Sequence, residues 1–353
     1  MEEFTVTLKT LTPLWTGDAW RRNQEIKPQS IMGALRFWFE VYCHAVGIEV
    51  KEYNKENVNY KEFRKKLEEK IRQNSDRELF ELEDEVLAEM RISLPSRIFG
   101  CTGWRGRVFI KGIQPIENYC FGNYLNLPEV IYKDKNNSSA DWQVCKRKEV
   151  NDLKKKNKNK NLHFWYFSIP YFGGKFEVTF QVKKEIKDTI LVPLLNFIQY
   201  YGFIGGRNNL GYGRVKIEEN LTNEVFKFSQ NERLSDKSIN EAIEEVNGFD
   251  ELLEAQNKKI KLWKKEKNAN SFSFQGVIKE LIAFKAKERL KISNNEERHY
   301  IFGSTKRDKY NNIQGPNATK IIPWINPKND GNYEYGFISL VGLQYFGERN
   351  EKK

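Results

Sequence analysis

Apolar and polar residues alternate from Phe4 to Leu11 (Phe-Thr-Val-Thr-Leu-Lys-Thr-Leu). A period of two predicts a strand with one buried face, which Pro13 ends. Ile31, Leu35, Trp38, Phe39 and Tyr42 then fall at helical spacing and predict a helix over Ile31–Val46. Ser30 is placed to cap it, with Pro28 limiting what precedes. Residues 51–90 are densely charged with a helical stripe through Phe63, Leu67, Ile71, Leu79, Leu82, Val86 and Leu87. This predicts a solvated insertion or lid that carries no chemistry. Ser96 to Ile110 is rich in turn residues and leads into a strand. Phe176–Val182 alternates again. Asp188–Tyr201 has helical spacing at Ile190, Leu191, Leu194, Leu195 and Ile198, with Pro193 confined to its first turn. Arg214–Ile217 starts a further strand. Strand, helix, strand, strand, helix, strand is the split βαβ order of a ferredoxin-like domain, here interrupted by large insertions.

The composition shifts at 221–250, which is acidic and polar. Beyond it the spacing predicts helices over Glu251–Trp263 and Phe274–Ile292, and a closing strand over Tyr335–Phe346 broken at Gly342. Tyr300 to Arg307 (Tyr-Ile-Phe-Gly-Ser-Thr-Lys-Arg) repeats Arg97 to Thr102 (Arg-Ile-Phe-Gly-Cys-Thr) in form. A repeat of this kind predicts two copies of one architecture. The expected organisation is α+β: an N-terminal domain over 1–220, with insertions at about 51–90 and 133–160, and a C-terminal domain over 221–353.

Between the second helix and the strand after it lies Gly202-Phe-Ile-Gly-Gly-Arg-Asn-Asn-Leu-Gly-Tyr-Gly-Arg-Val215, with five glycines and two arginines. Glycine lets another molecule approach the backbone closely, and arginine offers a fork of donors suited to phosphate. Two more segments have the same character: Trp15 to Lys27, and Phe99 to Arg107. In a split βαβ unit the start of the first helix and the loop after the second come together. The expected site is therefore a positive groove for a polyanion backbone. Trp15, Trp20, Arg21, Arg22, Lys27, Ser30, Arg36, Arg105, Arg107, Arg207 and Arg214 are its candidate contacts. Gly205, Gly206, Gly211 and Gly213 shape the loop, and Trp15, Trp20, Trp104 and Tyr212 are available to stack on bases.

Charge decides which polyanion to expect. The 353 residues hold 59 Lys and Arg against 48 Asp and Glu, a net charge of +11, with 14% aromatics. Nucleic acid is the commonest large acidic partner. The stretch Lys146–Lys160 adds eight basic residues in fifteen and reads as a mobile loop that meets phosphate. Cys43, Cys101, Cys120 and Cys145 lie far apart, as do His44, His163 and His299, so neither a zinc site nor a disulfide framework is expected. Gly205-Gly206 does not follow a strand, which excludes a dinucleotide fingerprint, and no GxxxxGK[ST] run occurs. No cofactor, metal or catalytic set is expected. The alternative is a metal-dependent endoribonuclease that uses Asp18. With no signal peptide and no long apolar run, the expected place is the cytoplasm.

Leu11-Thr-Pro-Leu-Trp-Thr-Gly17, Ile26-Lys-Pro-Gln-Ser-Ile-Met-Gly-Ala-Leu-Arg-Phe-Trp38 and Phe99-Gly-Cys-Thr-Gly-Trp-Arg-Gly-Arg-Val108 together resemble the opening of RAMP-superfamily proteins. These are RNA-binding subunits of type III CRISPR effectors, and the wording is most similar to the subunit-one family of Cmr (type III-B) complexes. Gly202–Val215 resembles the superfamily's glycine-rich loop. The resemblance spans most of residues 1–217. It implies tandem ferredoxin-like (RRM-like) domains in a ribonucleoprotein for antiviral defence. It further implies contact with the 3′ portion of the guide RNA or with paired target RNA, with sister RAMP subunits as neighbours and no catalysis by this chain. The insertions at 51–90 and 133–160 are not part of the family's motif.

Overall fold

A computed structural model describes residues 1–17, 22–51, 55–134, 141–157, 162–219, 221, 239–255, 258–267, 273–304, 318–328 and 332–343. The first alternating run forms β1 (Glu2–Thr10), with Val6 and Leu8 buried and Thr5 and Lys9 exposed. Helix α1 (Pro28–Ala45) follows, then α2 (Tyr60–Gln73), α3 (Leu79–Glu89), α4 (Leu94–Phe99) and the long β2 (Val108–Gly122). After an excursion come β6 (Tyr171–Val182), a short α6 (Lys184–Ile186), a π-turn over Lys187–Leu191, α7 (Val192–Tyr201) and β7 (Val215–Ile217). The sheet order is β2-β6-β1-β7, antiparallel throughout. Phe4, Val6 and Leu8 of β1 pair with Phe180, Val178 and Phe176 of β6. The apolar stripes of α1 and α7 cover that face, forming one core with Trp38, Phe39, Tyr42, Leu194 and Phe197. The opposite face is polar and self-paired: Thr5 and Thr179 share a hydrogen bond of 3.1 Å, and Lys175 meets Glu218 at 2.9 Å.

Several sequence expectations need correction. Helix α1 begins at Pro28, with Lys27 as its N-cap; Ser30 lies inside the first turn and makes no cap hydrogen bond. Proline at the first helical position loses nothing there, which moves the start forward. The turn-rich stretch after Ser96 is partly helical, because α4 runs to Phe99. The insertion at 51–90 has chemistry after all. Asp84 on α3 receives Arg97 at 2.6 Å and Arg107 at 2.8 Å, all three side chains being less than a tenth exposed. Buried Glu56 accepts from the Ser93 backbone at 2.6 Å and its hydroxyl at 2.8 Å. Its acids thus compensate charges and donors buried beneath it, which would otherwise be costly.

The second insertion is also folded. β3 (Val130–Asp134), β4 (Gln143–Cys145) and β5 (Leu162–Tyr166) form a separate sheet of order β4-β3-β5. The expected mobile lysine stretch contains α5 (Val150–Lys156), whose Val150 and Leu153 pack with Cys145, Tyr132 and Phe164. Residues 158–160 of that stretch lie outside the described residues.

In the second half β8 (Ile243–Glu245), α8 (Phe249–Leu253), β9 (Ile260–Lys267), α9 (Phe274–Lys291), α10 (Asn295–Phe302), β10 (Ile321–Pro327) and β11 (Tyr333–Ser339) build a sheet of order β10-β11-β9-β8. β8 runs parallel to β9. The helix expected over Glu251–Trp263 is instead α8 followed by a strand, because Trp263 stacks on Phe337 of β11 at 6.1 Å and belongs to the sheet. The closing strand starts earlier than expected, at Tyr333, and ends at Ser339. Its expected end at Phe346 lies outside the described residues. The two Ile-Phe-Gly copies fold alike: α4 ends in Gly100 at φ 92°, ψ 161°, and α10 in Gly303 at φ 77°, ψ 163°. The rest of the second copy, Thr305 to Arg307, lies outside the described residues. Leu127, Ile131, Phe167 and Tyr171 share a core with Trp263, Ile278 and Phe337.

Lys285 on α9 is buried and donates to the Thr319 hydroxyl at 2.8 Å and to the Ile321 carbonyl. Loss of hydration, with Arg289 as the second cause, pulls its ammonium down to about 7. An unfolded lysine titrates near ~10.4. Between those values the unfolded chain holds the extra proton, so this group makes stability rise with pH over that window, by at most ~1.4 kcal/mol per unit. Urea unfolding at pH 7 and pH 9 should show wild type gaining on Lys285→Met as pH increases. Equal pH slopes for the two proteins would contradict this account.

Candidate functional site

The loop after β1 and the glycine-rich loop run side by side. The Leu11 amide donates to the Arg214 carbonyl at 2.8 Å, Gly213 to Pro13 at 2.8 Å and Gly206 to Trp15 at 2.8 Å. Position 213 has no room for a side chain: its φ is +89°, and a Cβ would stand 2.0 Å from the Ile204 carbonyl oxygen. The loop then turns back to α1 around Thr16 and Asn23, both buried. Asn23 accepts from the Thr16 amide at 3.0 Å, and the Lys27 amide donates to the Thr16 hydroxyl at 3.1 Å. Trp38 on α1 closes the ring by donating to the Phe203 carbonyl at 2.7 Å.

Where the three segments meet there is a cleft of about 270 Å³. Trp15, Thr16 and Gly17 line it from the first loop, and Phe203, Gly205, Gly206 and Asn208 from the second. Ser30, Gly33, Ala34 and Phe37 of α1 form its third wall. Arg207 stands beside it in the left-handed region at φ 67°, its guanidinium 5.2 Å from the centre of the Trp15 ring. Trp15 Nε1, Arg207 Nε and Asn208 Oδ1 are all buried without a hydrogen-bond partner. The backbone of Arg22 and Lys27 lies near the cleft: the Arg22 carbonyl abuts Gly17, and Lys27 is the N-cap position of the helix that carries Ser30.

The candidate residues therefore divide. Trp15, Ser30, Gly205 and Gly206 line one cleft, with the Arg207 guanidinium at its edge and the Arg22 and Lys27 backbone close by. Arg214 is wholly buried and all its donors go to backbone carbonyls, so it has no surface to offer a ligand. Arg107 is held by Asp84 beneath the insertion. Arg36 is spent on Glu40 at 2.7 Å, Ser96 at 2.8 Å and the Gly100 carbonyl, tying α1 to α4. Arg105 is exposed over the Phe109 ring at 4.5 Å, on the turn before β2 and not on the cleft. Gly211 and Gly213 lie deeper, Gly211 against Ile325 of the second sheet. Trp104 packs on Phe63 and donates to the Arg97 carbonyl at 2.9 Å, and Tyr212 is fully buried; neither is a stacking platform. Asp18, Trp20 and Arg21 lie outside the described residues.

Sequence reasoning missed Phe37 and Asn208. The small patch Gly33-Ala34 was the available signal for the first, since it marks an α1 face left open. Asn208 carries no charge and was overshadowed by Arg207. Among the described residues, no three His, Cys, Asp or Glu side chains gather as a metal site. Among them, too, no helix is long and apolar enough to cross a membrane.

Residues 7–216 match the family model of the RAMP superfamily. Comparison with curated proteins gives no match. Among solved structures the chain is similar to Cmr1 from Pyrococcus furiosus in its apo form, at 14% identity and a TM-score of 0.39, over 96% of this chain and 88% of that one. It is similar to a chain of a type IV-B CRISPR complex at 15% identity and a TM-score of 0.34, over 65% of this chain and 95% of the other. Similarity to Cmr6 from Pyrococcus furiosus is at 16% identity and a TM-score of 0.28, over 61% and 96% respectively.

Proposed function

The chain belongs to the RAMP superfamily, and from that premise we propose that it is a non-catalytic, RNA-binding subunit of a type III-B CRISPR effector complex. It contacts the 3′ portion of the guide RNA or the target RNA paired to it, and assembles with sister RAMP subunits. The observation that carries the RNA reading is the cleft where the two loops and α1 converge. Arg207 is held there in a left-handed conformation that costs about 1 kcal/mol or more for a residue with a side chain. Such strain is retained where a side chain must be aimed. The net charge of +11 supports a polyanionic partner.

The chain has two ferredoxin-like units in this reading, divided near residue 220. The first has the β2-β6-β1-β7 sheet, and the second has β8 in the place of a closing strand. RRM domains stack bases on aromatic residues of the open sheet face. Here that face carries Thr5, Thr179, Lys175 and Glu177, and its aromatic on β2, Phe109, is covered by the Arg105 guanidinium at 4.5 Å. RNA is therefore assigned to the loop-and-helix edge of the first unit.

Purified protein should bind labelled single-stranded RNA in a salt-dependent manner and leave it intact when magnesium or manganese is added. Metal-dependent cleavage that disappears in Asp18→Ala would replace this reading with the endoribonuclease.

A further inference from the structure

We propose that the cleft holds one unstacked nucleobase of the RNA, packed against Phe37 and read by the carboxamide of Asn208, and not a phosphate. This rests on the RNA-binding reading and sharpens it. Among the described residues the lining has no ionisable side chain: its polar groups are the Thr16 and Ser30 hydroxyls, the Trp15 indole and the Asn208 amide. A phosphate placed inside would lose its hydration, and the described lining supplies no cation to replace it, since Arg207 stands beside the cleft and not in its wall. The cations Arg22, Lys27 and Arg207 belong to the surroundings, where a sugar-phosphate chain entering and leaving the cleft would pass.

Size and shape agree. A volume of about 270 Å³ falls just below the range of drug-sized pockets and suits a single planar ring system. Half-buried Phe37 supplies an aromatic surface, and the lining glycines at 17, 205 and 206 pack so closely on Trp15 that a Cβ would stand 2.8, 2.7 and 3.1 Å from it. Over α1 the space is empty: a Cβ built on Gly33 meets nothing within 4 Å.

Polarity points the same way. Asn208 Oδ1 is buried with no partner, and buried polar atoms in native proteins are nearly always satisfied. A base edge presents adjacent donors and acceptors, and a carboxamide turns about a soft torsion to match them. Adenine, with a donor beside an acceptor, is the usual match for asparagine.

Gly33→Leu tests occupancy without threatening the fold. The added side chain enters open space, and leucine is the better helix former. The variant should melt no lower than wild type yet bind a short single-stranded RNA about ten-fold more weakly, the worth of one stacked base. Its affinity for the same oligonucleotide with abasic sugars should equal that of wild type. Asn208→Ala should flatten the ranking of A, C, G and U at one position about five-fold or more, with the salt slope unchanged. Wild-type binding that ignores abasic substitution, or a Gly33→Leu protein that binds base-bearing RNA as wild type does, overturns the base slot and leaves RNA binding standing. Absence of any RNA binding by wild type overturns both.

Discussion

Replacing Arg214 by methionine should lower the free energy of unfolding by about 3–5 kcal/mol, a large part of what holds a typical domain together. The side chain is fully buried, and its guanidinium lies between the Phe203 and Trp324 rings, 5.7 and 5.3 Å from their centres. Nη1 donates to the Ile198 and Gly202 carbonyls at 3.1 and 2.6 Å, Nη2 to Gln199 and Tyr200 at 2.9 Å each, and Nε to Ile325 at 3.3 Å. The first four are acceptors at the C-terminal end of α7, where the helix dipole also favours a cation; Ile198 also accepts from the Gly202 amide at 2.9 Å and Tyr200 from Trp324 Nε1 at 3.2 Å, so Gln199 and Gly202 depend most on the guanidinium. The fifth is on β10, so one residue joins α7, the glycine-rich loop and the second sheet. Burial pulls its pKa down to about 9, which still leaves it charged at neutral pH. Methionine relieves the desolvation of that charge but strands the Gln199 and Gly202 carbonyls, at ~1–3 kcal/mol for each one left unsatisfied. Stranding wins because two acceptors depend on one group and two more lose a second donor. Arg214→Lys should recover only part of the loss, since an ammonium cannot reproduce the planar fork. Urea titration of the three proteins measures this, and a loss below ~1 kcal/mol in Arg214→Met would contradict the role.

Reversing the charge at Arg22, Lys27 and Arg207 together should reduce affinity for single-stranded RNA by about a hundred-fold at low salt. The slope of log affinity against log salt should fall by about 2, since each lost phosphate contact on a single strand removes ~0.7. A control separates binding from folding. Arg207 sits at φ 67°, where glycine is at ease and other residues are strained by ~1–2 kcal/mol. Arg207→Gly should therefore raise the melting temperature while weakening RNA binding. A structural arginine would show the opposite, and an unchanged salt slope in the triple variant would remove these residues from the interface.

The legible part of the fold came from periodicity. The alternation in β1 and the stripes on α1 and α7 state which face is buried, and that is enough to bring the two loops together. The repeated Ile-Phe-Gly was legible because a left-handed glycine ends each helix. What periodicity hid was context. Ile260–Trp263 is buried throughout, so it shows neither period. The α2–α3 insertion looked inert because a buried acid such as Asp84 is indistinguishable in sequence from its solvated neighbours. The same blindness affected arginines: Arg207 and Arg214 share one glycine-rich loop, yet one flanks a cleft and the other is wholly buried. The loop's glycines read as a phosphate cradle, whereas the described residues that line the cleft they shape are neutral.

Ultraviolet crosslinking of RNA to the full chain, with the attached peptides mapped, tests the central claim most directly. Attachment should concentrate in residues 14–17, 30–37 and 203–208, around the cleft. Crosslinks confined to the open face of the first sheet, at Thr5, Glu177 and Thr179, with none in those three segments, would contradict it.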